Sequence, residues 1–165
     1  MAQLIYLSTF FFSFLTLSFT DDIAVMASTL PHLYLDNNKF SIPLGFFQGL
    51  TKLQDLSLSA NLNIPPWTIP TELTQATGLL RFYASETNIF GSLPDFFGSF
   101  PNLTHLRLTD NNLSGTLPQS FRGSKIQNLG LNRQKNEEQL FLTKIFNIFI
   151  LKLLITKILF YFKIK

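Results

Sequence analysis

The 165-residue chain contains no cysteine, one tryptophan, two methionines and two histidines. Without cysteine, neither a disulfide framework nor a thiolate metal site can form. Charge is sparse as well, at 14% of residues, where soluble domains average about 25%. It is also uneven. Residues 135–165 hold six lysines against Glu137 and Glu138, whereas residues 1–134 carry seven basic and eight acidic side chains. The basic character therefore belongs to the tail, and residues 1–134 have no electrostatic footprint for nucleic acid. At this length there is room for one domain.

What is present is a phrase that recurs. Its cleanest copy is LTHLRLTDNNLSGTLP, from Leu103 to Pro118. Aligned on that copy, repeats begin at Leu30, Leu53, Leu79, Leu103 and Ile126, spaced 23, 26, 24 and 23 residues apart. A period in this range with the form LxxLxLxxNxL is the leucine-rich-repeat signature. Within each repeat the fourth and sixth positions alternate with polar residues, which is strand periodicity. The inward pairs expected are Leu33/Leu35, Leu56/Leu58, Phe82/Ala84, Leu106/Leu108 and Leu129/Leu131. Ala84 is the smallest of these, so its layer is expected to hold either a local void or a neighbouring aromatic such as Phe82. One coil cannot bury its own apolar face, so successive coils must stack.

The ninth position is Asn38, Asn61 and Asn111, with Thr87 and Gln134 in the third and fifth repeats. A buried amide here pairs backbone groups that would otherwise cost about 1–3 kcal/mol each. Asn88 is the expected helper where Thr87 falls short. Gly91 and Gly115 permit a turn after the strand, and Pro94 and Pro118 open the outer return. The returns DFFGSF and QSFRGS are too short for a stable α-helix and suit 3₁₀ or irregular turns. Pro65-Pro66-Trp67 is expected to bulge from the convex or side face, and Thr71 to cap a short helix with Glu72 in its first turn.

Residues between the inward leucines form a concave row of side chains. Tyr and Arg are enriched at interface hot spots, which marks Tyr34, Arg81, Tyr83 and Arg107, together with Asp36, as binding candidates. The competing reading is a merely solvated sheet face. Ser57 and Asp55 resemble a catalytic fragment, but no general base joins them, so no catalytic residue is assigned. His32 and His105 lie three repeats apart and cannot share a metal; neither metal nor cofactor is implied. Asn102-Leu103-Thr104 and Asn112-Leu113-Ser114 are glycosylation sequons on turns flanking the strand.

Residues 1–20 read as a signal peptide, apolar from Leu4 to Phe19 and ending at Thr20-Asp21-Asp22. A positive n-region and a clear cleavage site are weak, and the rival is a membrane anchor of about 20 residues. Residues 21–29 form a linker, 30–134 the repeat domain and 135–165 a non-repeat tail. From Phe141 to Lys165 the tail uses Phe, Ile, Leu, Lys, Asn and Tyr, with Thr143 and Thr156 the exceptions. Codons of A and T alone encode those six types, which points to translation of AT-rich non-coding sequence. Lys152 and Lys157 would each cost about 2.5–3.5 kcal/mol at the centre of a span. Membrane association through either apolar end stays open.

The phrases PPWTIPTELTQAT, NIFGSLPDFFGSFPNL and SFRGSKIQNLGLNRQK resemble the ectodomain of the plant transmembrane receptor kinases called TMK. Asp21-Asp22 followed by Val25-Met26 is similar to the start of the mature protein in that family. The resemblance covers roughly residues 21–26 and 33–135, without the family's cysteine-containing cap. It also lacks the kinase, since no Gly-rich phosphate loop, HRD or DFG occurs. The resemblance implies an α/β leucine-rich-repeat solenoid of about five plant-type repeats with a short parallel concave sheet. A signal helix and an apolar tail helix are expected to flank it. It further implies a non-enzymatic recognition module linked to auxin and growth signalling, secreted or at the extracellular face of the plasma membrane. Its partners would be an extracellular protein or peptide ligand, or a co-receptor. A membrane-held decoy and a non-functional truncated product are the alternatives.

Overall fold

The computed structural model describes residues 4–6, 29–38, 41–42 and 45–134. Among the described residues there are eight three-residue strands: β1 (Leu4–Tyr6), β2 (His32–Tyr34), β3 (Asp55–Ser57), β4 (Arg81–Tyr83), β5 (Phe90–Ser92), β6 (His105–Arg107), β7 (Asn112–Ser114) and β8 (Asn128–Gly130). The main sheet is parallel throughout, in the order β1-β2-β3-β4-β6-β8, and a second sheet pairs β5 with β7. One strand per repeat, stacked in parallel, is what the period of 23 to 26 residues demands.

Register aligns Leu33, Leu56, Phe82, Leu106 and Leu129 in one column. All five are buried, as are Leu35, Leu58, Ala84, Leu108 and Leu131 and the opening residue of every repeat. The back wall comes from the returns, which form 3₁₀ turns at Thr71–Gln75, Asp95–Ser99 and Gln119–Gly123. Leu73, Phe97 and Phe121 point inward from them. Phe82 stacks on Phe97 at 5.9 Å between ring centroids, so an aromatic pair occupies the coil that carries Ala84. Successive returns approach closely: a Cβ on Gly98 would lie 2.4 Å from the backbone carbon of Ser120.

The ninth-position ladder is buried in all five repeats. Asn111 Nδ2 donates to Ala84 O in the preceding coil and to Leu108 O in its own, at 2.7 and 3.1 Å. Its Oδ1 accepts from the Thr87 and Ile89 amides at 3.1 and 3.0 Å. Gln134 reproduces the pattern, donating to Leu108 O and Leu131 O and accepting from Leu113 N. Thr87 reaches only Ala84 O within its own coil, apart from a longer contact to Asn111. The backward reach from the third coil falls to Asn88, whose Nδ2 donates to Leu62 O and Ile64 O. That compensation lies further along the second coil than the usual acceptor.

The residue before each ladder position takes the left-handed conformation: Asn37, Ala60, Glu86, Asp110 and Arg133 have φ between 54° and 58°. This turn ends every strand after one inward pair. It costs Ala and Glu roughly 1–2 kcal/mol relative to Gly.

The second sheet changes the expectation for the Pro65-Pro66-Trp67 segment. Trp67 does not simply bulge: it forms a parallel bridge with Ile89, and its indole donates to Thr87 O at 2.7 Å. Its ring stacks on Phe47 at 5.6 Å. Gly115, at φ +81°, turns the chain just after β7, whereas Gly91, at φ +84°, lies within β5 itself, paired with Leu113, rather than in the expected turn. Thr71 caps nothing, because Pro70 is the N-cap residue and makes no side-chain cap.

At the N-terminal side, Leu4–Tyr6 are extended rather than helical, pairing in parallel with His32–Tyr34. An uncovered strand edge presents unpaired backbone groups that a further strand satisfies. The remainder of the expected signal helix, and the whole expected tail helix, lie outside the described residues. Among the described residues, no helix is long and apolar enough to cross a membrane.

Candidate functional site

Strand alternation turns His32, Tyr34, Asp55, Arg81, Tyr83, His105 and Arg107 away from the leucine column onto the concave face. Their centre is Asp55, which is only 2% exposed. Its Oδ2 receives His32 Nδ1 at 2.8 Å, the Tyr34 hydroxyl at 3.2 Å and Arg81 Nη1 at 2.9 Å. Register explains the convergence, because His32, Asp55 and Arg81 sit directly opposite one another on β2, β3 and β4. Charge-assisted bonds of this kind are about twice as strong as neutral ones. The Arg81 side chain remains 45% exposed, so one end is anchored while the other faces solvent.

The other candidates fall into two groups. Asp36 Oδ1 accepts from the Ser57 hydroxyl and, at 3.0 Å, from the Ser59 amide. Arg107 lies over the Tyr83 ring, 5.3 Å from its centroid, and its Nε donates to Asn128 Oδ1 at 3.3 Å. Cation–π contact of this type contributes about 0.5–1 kcal/mol at exposed sites. The structure thus joins Tyr34 to Arg81 through Asp55 and pairs Tyr83 with Arg107. Asp36 sits apart from both, tied to Ser57.

Two sequence expectations shift. The concave row is not uniformly solvated, since Asp55 and Ser57 are both buried. Asp55 is also the residue that sequence reasoning passed over; an acidic side chain opposite His and Arg in register was the signal available. Ser57 donates to a carboxylate, and His32 is engaged by Asp55, so no activated nucleophile is assembled. His105 pairs with the Thr104 hydroxyl at 2.9 Å. Among the described residues, no group of three acidic or His side chains is placed to hold a metal. Of the sequons, Asn102 lies on an exposed turn, whereas Asn112 belongs to strand β7 rather than to a turn. Away from the concave face, a cavity of about 500 Å³ is lined by Phe46, Phe47, Ile64 and Trp67.

The family model described as Leucine Rich Repeat matches residues 102–124. The chain is 40% identical over 116 residues to the receptor-like kinase TMK2 of Arabidopsis thaliana, covering 68% of this chain and 13% of that protein. The chain belongs to the leucine-rich-repeat family. Its relatives are plant receptor-like kinases, and this leucine-rich-repeat chain spans a small part of their length. Among solved structures, the HAESA ectodomain of Arabidopsis, in complex with an IDA peptide hormone, is 28% identical with a TM-score of 0.55. The match covers 68% of this chain and 19% of that one. A plant ice-binding protein is 29% identical with a TM-score of 0.57, over 69% of this chain and 37% of that one. The leucine-rich-repeat fold therefore serves more than one role, and the side chains on its surface must decide between them.

Proposed function

We propose that the concave face is a recognition surface for an extracellular peptide, protein ligand or co-receptor, in a chain of the plant receptor-kinase ectodomain type. The observation that carries this is the Asp55 node. It holds Tyr34 and Arg81 in fixed positions next to the Tyr83–Arg107 pair. Aromatic and guanidinium groups whose rotamers are already restrained lose less entropy on binding than free ones. The likeness to an ectodomain solved with a peptide hormone supports the same reading.

On this reading Tyr34, Asp36, Arg81, Tyr83 and Arg107 contact the ligand, and Asp55 positions them. Residues 1–20 direct the chain to the secretory pathway, 21–29 link, 30–134 recognise, and 135–165 stand apart as a tail. Asn102 and Asn112 carry glycans, and the chain is secreted or lies at the outer face of the plasma membrane. Its part in auxin-linked growth signalling would be recognition alone.

The test is a pull-down from plant apoplastic fluid with the wild-type chain and the double variant Tyr83→Ala/Arg107→Ala. Proteins or peptides retained by wild type should be lost from the variant. An unchanged retained set would remove the concave face as the binding surface.

A further inference from the structure

Phe90 and Leu62 are the large hydrophobic side chains exposed among the described residues, at 41% and 68%. Phe90 stands on β5, in register with Asn112 on β7. Parallel neighbours in register present their side chains to the same face, about 4.8 Å apart between strands. The burial pattern agrees. Leu113 is buried, while Asn112, Ser114, Phe90 and Ser92 are on the outward side. Asn112 opens the sequon Asn112-Leu113-Ser114, and its side chain makes no hydrogen bond among the described residues. Asn102, in the other sequon, donates weakly to Thr77 O.

We propose that Asn112 is glycosylated and that the first N-acetylglucosamine packs on the Phe90 ring, closing this apolar spot on the lateral sheet. The modification needs a lipid-linked oligosaccharide diphosphate as donor. The Asn112 Nδ2–C1 bond of the sugar forms, the C1–O bond to the diphosphate breaks, and Nδ2 loses a proton. The sugar's axial C–H face then lies against the electron-rich face of the ring, whose negative quadrupole favours such an edge. A polar glycan also converts an exposed ring into a solvated surface. The lateral sheet is thereby withdrawn from protein contacts, leaving the concave face for them. This rests on the secretory reading above.

The full chain, expressed through a plant secretory pathway, supplies the test. Glycopeptide mass spectrometry reads occupancy, and thermal unfolding compares the wild type with Asn112→Gln, each in a Phe90 and a Phe90→Ala background. Removing the glycan should lower Tm by about 2–4 °C with Phe90 present and by much less without it. Asn102→Gln should show no such dependence on Phe90. An equal loss in both backgrounds overturns the packing. Asn102 modified with Asn112 bare overturns this proposal and the glycan assigned to Asn112 but leaves the secretory reading standing, and both sites bare overturns the secretory reading as well.

Discussion

Arg81 is held by Asp55 at 2.9 Å across the β3–β4 pair, with the carboxylate buried and the guanidinium nearly half in solvent. The two partners therefore contribute unequally to stability. Asp55→Ala strands His32, Tyr34 and one end of Arg81 at once. It should cost about 1–3 kcal/mol, the range for part-buried donors left without their acceptor. Arg81→Ala leaves Asp55 its other two donors and should cost about 1 kcal/mol or less, as exposed ion pairs do. Urea unfolding followed by the fluorescence of Trp67, the chain's single tryptophan, measures both. An equal or reversed order would show that Asp55 is not the organising group.

Asn111→Leu tests the ladder. The substitution removes the acceptor for Thr87 N and Ile89 N and the donor to Ala84 O. With each stranded buried group costing about 1–3 kcal/mol, the loss should exceed that of any single concave-face truncation. Loss of amide protection at Thr87 and Ile89 in hydrogen exchange would locate it, and retained protection there would contradict it.

Glu86→Gly should stabilise the chain by up to about 1 kcal/mol, since Glu86 sits at φ +57° with an exposed side chain and Gly enters that region freely. A higher urea midpoint at unchanged slope is the expected result. A lower midpoint would mean that the added unfolded-state entropy of Gly outweighs the relieved strain.

Gly98→Ala should act in the opposite direction. Its new methyl would meet the Ser120 backbone, which cannot move without separating two returns that share the Phe97 and Phe121 core. Overpacking of this sort costs about 1–3 kcal/mol. A Tm equal to wild type would show that the two returns can part without loss.

The repeat phrase made the main sheet and its core legible, because Leu at positions one, four and six is both the strand pattern and the inward column. Every such residue is buried. That the returns are too short for α-helix was legible from their length, though not that they close as 3₁₀ turns rather than irregular ones. The second sheet was not, since Phe90-Gly91-Ser92 and Asn112-Leu113-Ser114 look like turn sequence until they stand side by side. The pairing of Trp67 was hidden for the same reason: its bridge to Ile89 joins residues 22 apart in the chain. On the concave face, sequence spacing gave the row of candidates but not the convergence of three donors on Asp55. That convergence depends on side-chain reach across strands.

The ladder amides also have a direction. Asn61 reaches back to Leu35 O and receives Asn38 N, Asn111 reaches back to Ala84 O, and Gln134 reaches back to Leu108 O. Each loop is thus fastened by a side chain that the ribosome adds only a full repeat later. While the chain is being made, its newest coil stays open at one end. Closure advances one coil behind synthesis, so a stalled or shortened product exposes an unfastened final loop wherever it stops.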